Sequence, residues 1–127
     1  MFASAILSAP QSVPVRVGFG LAAAASFAAA LLVAGPGAWQ PWVFLVLPDI
    51  ALVAGIGRGL AKGQLHPRAV RLYNALHVFA GPALLAVASI WLGPAWLGGA
   101  LAWAAHVLLD RAAGYGLRDR TGFIRAR

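Results

Sequence analysis

Cysteine is absent from this chain, and so is glutamate, since its three acidic residues are Asp49, Asp110 and Asp119. Without thiols there is no disulfide, thiolate zinc site, iron–sulfur cluster or c-type haem attachment. Charge of either sign is scarce: 10% of the 127 residues are charged and 61% are hydrophobic, with a mean hydropathy of +0.81. A soluble domain carries about 25% charged residues, so this chain has too little polar surface to coat a water-soluble globule. Met1 to Ala9 lacks the basic start of a secretory signal and is short for a cleaved one. It reads as an uncleaved cytoplasmic or interfacial lead-in.

The charges that are present are mostly basic, for a net +7. In a soluble protein that excess would suggest nucleic acid, but its placement excludes that partner here. Arg16 precedes the first apolar run. Arg58, Lys62, Arg68 and Arg71 lie between the second and third, and Arg111, Arg118, Arg120, Arg125 and Arg127 lie at or beyond the end of the fourth. The loops at Gly35 to Gln40 and Gly93 to Pro94 carry none. This alternation predicts an all-α bundle of four transmembrane helices in one domain, with N- and C-termini cytoplasmic and a basic tail facing anionic headgroups.

The expected spans are Val15 to Ala34, Pro41 to Gly57, Ala69 to Leu92 and Ala95 to Ala113. The first is Ala-rich, which suits close helix packing in lipid and association with further copies or a larger membrane complex. Pro48 in the second span and Gly81-Pro82 in the third predict kinks that free the carbonyls of Phe44 and Val78. Trp39, Trp42, Trp91 and Trp96 sit where interfacial aromatics belong.

Polar groups recur at one depth of these spans. Asp49 follows Pro48; Tyr73, Asn74 and His77 share a helix face; His106 and Asp110 are spaced i,i+4, which stacks them on one face. An Asp at mid-bilayer costs about 2.5–3.5 kcal/mol on insertion scales, so such groups need partners. Histidines and carboxylates on facing helices are the ligands that zinc takes when thiolates are lacking. The metal reading assigns Asp49, His77, His106 and Asp110 as ligands of a divalent cation such as zinc, with Tyr73, Asn74, Arg111 and Tyr115 around them. A metal there would activate water for hydrolysis beside lipid. The other readings are helix docking in a non-catalytic accessory subunit or scaffold, a proton or ion relay, and bis-histidine tetrapyrrole ligation.

These residues fall in blocks that resemble a family of bacterial membrane proteins, domain of unknown function 4260. The blocks are Leu47-Pro48-Asp49, Leu72-Tyr73-Asn74-x-x-His77, Ala105-His106-x-x-x-Asp110-Arg111-x-x-Gly114-Tyr115-Gly116-Leu117, and Gly122-Phe123. The resemblance spans about Arg16 to Phe123 and implies a small four-span protein of the inner membrane, with no activity to carry over. The chain departs from the family pattern where Arg16-Val17-Gly18 stands in place of an Arg-x-Glu pair, and the loop from Gly59 to Gln64 is longer. The fourth span is also similar to membrane-bound metal-dependent hydrolases of the LexA-binding type.

Overall fold

The computed structural model describes residues 12 to 125, so the Met1 to Ala9 lead-in and Arg127 lie outside the described residues. The fold is all-α. Helix α1 (Val13–Ala34) starts behind Ser12, whose hydroxyl accepts the Val15 N–H at 3.4 Å, with Pro14 in its first turn. A broken segment follows: α2 (Gln40–Val46), a 3-10 turn (Leu47–Asp49) and α3 (Ile50–Ala54). After the loop come a second 3-10 turn (Pro67–Ala69), α4 (Val70–Leu76), α5 (Ala80–Leu92) and α6 (Pro94–Ala113).

Helix α6 is the axis of the molecule, packed along α1, α2 and α5. Its buried positions include Gly98, Gly99, Ala102, Ala105 and His106, at i, i+1, i+4, i+7 and i+8, the stripe of a helix with one inward face. The stripe is nearly all small because neighbouring backbones come very close. A methyl group on Gly98 would lie 2.5 Å from the Ala34 Cβ and 2.9 Å from the Ala30 carbonyl oxygen. Small residues allow this approach where lipid gives no hydrophobic drive between helices. The Ser26 hydroxyl donates to the Leu101 carbonyl at 2.7 Å, so the one hydroxyl of α1 serves docking. Arg16 Nε donates to the Ala112 carbonyl at 2.8 Å, fixing α1 antiparallel to α6 and placing a cation at the negative end of the α6 dipole.

The two ends of the molecule differ in chemistry. Trp39 and Trp96 meet edge to face at 5.4 Å between centroids, Phe27 and Trp42 likewise, and Phe44 lies between Trp96 and Trp103. At the opposite end, Arg16 and Arg111 sit beside the last turns of α6, with the loop and the tail next to them. Arg68 donates to the carbonyls of Ala54 and Ile56, and Arg118 to those of Gly63 and Gly122. Here Ala51, Leu65, Ala69 and Tyr73 form a small core, covered by Leu76 and Ile124. The tail is laid down by a Leu65 N–H bond to the Gly122 carbonyl at 2.9 Å and a bridge between Arg118 and Ile124. Gly122 has φ 102° and touches Leu65 so closely that a Cβ would fall 1.8 Å from the Leu65 oxygen. Only glycine meets both conditions without strain.

Three of the four expected spans depart from the even pattern, α6 because it has the length but not the apolar character of a crossing helix. Gln40–Ala54 is broken at Pro48 and falls short of span length, and the third apolar run bends by 49° between Pro67–Leu76 and Ala80–Leu92. Among the described residues α1 is the one helix that is long and apolar enough to cross a bilayer by itself, and the bent pair passes the same test when taken together. The third run breaks at His77 to Phe79, ahead of the expected Gly81-Pro82 kink. Proline has no N–H and is tolerated in a first turn, so the helix stops before it and restarts with Pro82 near its beginning.

Candidate metal centre

His106 and Asp110 are supplied by α6, one turn apart on its inner side. The helix holds its length to Ala113 and closes with the Gly114 N–H on the Arg111 carbonyl and the Tyr115 N–H on the Asp110 carbonyl at 2.8 Å. His106 Nδ1 lies 2.6 Å from the Leu45 carbonyl oxygen. That carbonyl is available because of Pro48: in a 3-10 turn the donor is three residues on, and residue 48 has no N–H. Pro48 thus withholds a donor from Leu45 as well as from Phe44, the carbonyl that helix counting frees, and it is the Leu45 carbonyl that His106 takes.

His77 comes from the frayed end of α4, where its own N–H still reaches the Asn74 carbonyl. Its Nδ1 lies 2.7 Å from the Tyr73 carbonyl oxygen, and its ring stacks on Tyr73 at 4.0 Å with a 14° tilt. The helix break leaves carbonyls without intrahelical donors, and side chains of α6 take them. Trp103 Nε1 donates to Leu76 at 2.8 Å, and Arg111 Nη2 donates to His77 at 2.8 Å. The break thus puts the carbonyls of Leu76 and His77 to use, beyond the Val78 carbonyl that Pro82 was expected to free. Asp49 ends the 3-10 turn and projects toward both histidines.

The four reacting atoms converge. His77 Nε2 is 3.4 Å from Asp49 Oδ1 and 3.3 Å from Asp110 Oδ2. His106 Nε2 is 3.2 Å from Asp49 Oδ1 and 3.4 Å from Asp110 Oδ2, and the two Nε2 atoms are 3.3 Å apart. All four ligand atoms lie within 4.8 Å of one another. Zinc bonds of about 2.0–2.1 Å in a tetrahedron separate ligand atoms by about 3.3–3.4 Å. Five of the six edges in this cluster lie at 3.2–3.4 Å.

Proton positions point the same way. A carbonyl oxygen only accepts, so each Nδ1 facing one carries the ring proton, and in the neutral ring each Nε2 is then a lone pair. With both rings neutral, two imidazole lone pairs and two carboxylate oxygens face one another with no donor among them. A cation at their centre satisfies all four, and a divalent one balances the two carboxylates. Histidine held through its second nitrogen by a carbonyl is the usual arrangement of a metal-ligating imidazole.

The family model for domain of unknown function 4260 matches residues 15–126. The chain belongs to that family. No curated protein and no solved structure matches it. In this DUF4260 chain, three of the four motif blocks each bring ligand atoms to the cluster, and the fourth, Gly122-Phe123, closes the tail instead.

Of the surrounding candidates, Tyr73 contacts a ligand directly and Arg111 caps the backbone of one. Asn74 is turned away from the cluster: its Nδ2 donates to the Arg118 carbonyl at 3.0 Å and its Oδ1 accepts the Arg118 N–H at 2.8 Å, so it holds the tail. Tyr115 is half-exposed, and its carbonyl accepts from Arg111 at 3.1 Å. Three contributors went unread in the sequence: the Leu45 carbonyl, Trp103, and Arg118, whose guanidinium lies 4.7 Å from the Tyr73 ring centre. Leu45 stands three residues before Pro48 and Trp103 three before His106, spacings that carry a signal only once the 3-10 turn and the helix face are known.

Proposed function

We propose that this protein is a multi-pass protein of the bacterial inner membrane built around one divalent-metal centre, with His77, His106, Asp110 and Asp49 as ligands. The observation that carries the reading is the cluster of four acceptor atoms, five of whose six separations are 3.2–3.4 Å, two of them imidazole nitrogens whose partner nitrogens face carbonyls. Imidazole and carboxylate donors in a tetrahedron fit zinc best among common cations. When bound, the metal supplies a Lewis acid beside lipid. The chain's own contribution is to fix the two rings and to supply two carboxylates whose charge balances that of a divalent cation.

The bilayer setting draws support from the surface. Leu32, Leu84, Ile90 and Trp91 are exposed, as are most large apolar side chains of α1 and α5. A water-facing surface of that kind would drive aggregation, whereas lipid accepts it. Four crossings, two of them broken, would set the basic end in the cytoplasm and the tryptophan-rich end outside. Breaks are tolerated at depth where protein re-satisfies the backbone, as Trp103, Arg111 and His106 do here.

Elemental analysis of protein purified in mild detergent without chelator tests the centre. About one equivalent of metal in the wild type, lost in His106→Ala, is the expected result. Metal-free wild type, with a melting temperature unmoved by added zinc, would leave the cluster to protons alone. Reporter fusions at Gly37 and Gly93 check the topology and should read external.

A further inference from the structure

The four ligands are not held alike. Side-chain exposure is 0% for His77, 9% for His106, 22% for Asp110 and 48% for Asp49. His77 is fixed by the Tyr73 carbonyl, the Tyr73 ring and the Arg111 cap; His106 is fixed by the Leu45 carbonyl; Asp110 is carried by an unbroken helix. Asp49 instead ends a one-turn 3-10 segment between two short helices. The residues beside it in the chain, Leu47 on that segment and Val46 and Ile50 at the adjoining helix ends, are exposed and apolar.

We infer that Asp49 is the displaceable ligand, so that the metal has three permanent protein ligands and one exchangeable position that takes an oxygen ligand presented by an apolar molecule from the membrane. This rests on the metal reading above. Structural zinc sites are closed by four protein ligands, while working sites keep three and leave the fourth to water or substrate. His77, His106 and Asp110 supply the three, and the swing of Asp49 opens the fourth at the most exposed side of the cluster. The apolar rim selects what approaches: a carboxylate or ester oxygen carried on an alkyl chain loses less on entering it than a hydrated anion does.

Cobalt-substituted protein in detergent tests this, because the visible spectrum of cobalt reports its coordination without any activity assay. Asp49→Ala and Asp49→Asn should each keep close to one equivalent of cobalt at about tenfold weaker affinity, while His77→Ala and Asp110→Ala keep none. Octanoate should shift the spectrum of Asp49→Ala at a concentration about tenfold or more below that needed with acetate. If the wild type takes up no cobalt, the metal reading itself falls. If the wild type binds cobalt and both Asp49 variants lose it as fully as His77→Ala does, Asp49 is a permanent ligand and the inference is overturned. Equal potency of acetate and octanoate would overturn the apolar approach.

Discussion

His106 and Asp110 reach the cluster from a helix that runs unbroken for 20 residues, whereas Asp49 and His77 reach it from places where helices fail. The difference shows two ways of placing a ligand. An intact helix fixes two side chains by its period alone, with small residues at its back to bring neighbours near. A break gives up backbone hydrogen bonds, and the freed carbonyls become attachment points: Leu45 for His106, Leu76 for Trp103, His77 for Arg111. The rigid half of the site is therefore braced by the irregular half.

The sharpest way to break the comparison is to remove one imidazole from each side. His106→Ala and His77→Ala should both reduce bound metal from about one equivalent to under about 0.1. Each should also abolish zinc-dependent stabilisation, which reaches about 4 kcal/mol when free zinc is 1,000-fold above Kd. Metal retained in either variant would show that the two sides do not form one site.

Gly98→Val attacks the regular side away from the ligands. Its side chain would meet Ala34 and the Ala30 carbonyl, and overpacking of this kind costs about 1–3 kcal/mol. Thermal unfolding in detergent should show the loss, while metal content in the surviving folded protein stays near that of the wild type.

Pro48→Ala attacks the irregular side. It restores an N–H that competes with His106 for the Leu45 carbonyl. Loss of such an outer partner typically weakens a metal site about 10–100-fold, and the lower figure is expected here because the ligands themselves remain. Competition with a chromogenic chelator measures it, and unchanged affinity would show that the Leu45 contact does not orient the ring.

The smallest effect lies outside the cluster, at Asp119. The Thr121 hydroxyl, followed by the N–H groups of Phe123, Thr121 and Gly122, holds its carboxyl below the ordinary range. Its stabilisation of the tail is then present above the ordinary carboxylate value of about 3.9 and fades as pH falls through the lower folded value. Hydrogen exchange at the Leu65 amide, corrected for intrinsic rate, should quicken on acidification toward pH 3 in the wild type. In Asp119→Ala it should be fast throughout.

Much of this was open to reading in the chain itself. The i,i+4 pair His106 and Asp110, the shared face of Tyr73 and His77, and the lone Asp49 after a proline are local facts, and costly polar groups in an apolar chain must find one another. The limits of α1 and α6 were readable for the same reason, since apolar length and glycine or proline punctuation are local. Asn74 shows where such reading stops. It shares a face with His77, yet its amide is claimed by Arg118, 44 residues away, and no periodicity reports a partner that distant.

The sequence by itself determined the helical class, the four residues able to bind a metal and the segregation of basic residues, because composition, period and side-chain chemistry are properties of neighbours along the chain. Only the tertiary structure decided that the second and third apolar runs are broken, which carbonyl each break releases, and which side chain takes it. Those choices depend on α6 passing close enough to both breaks for His106, Trp103 and Arg111 to reach. The same packing brings five N···O and N···N distances to 3.2–3.4 Å, a separation set by three segments meeting in space and by none of them alone.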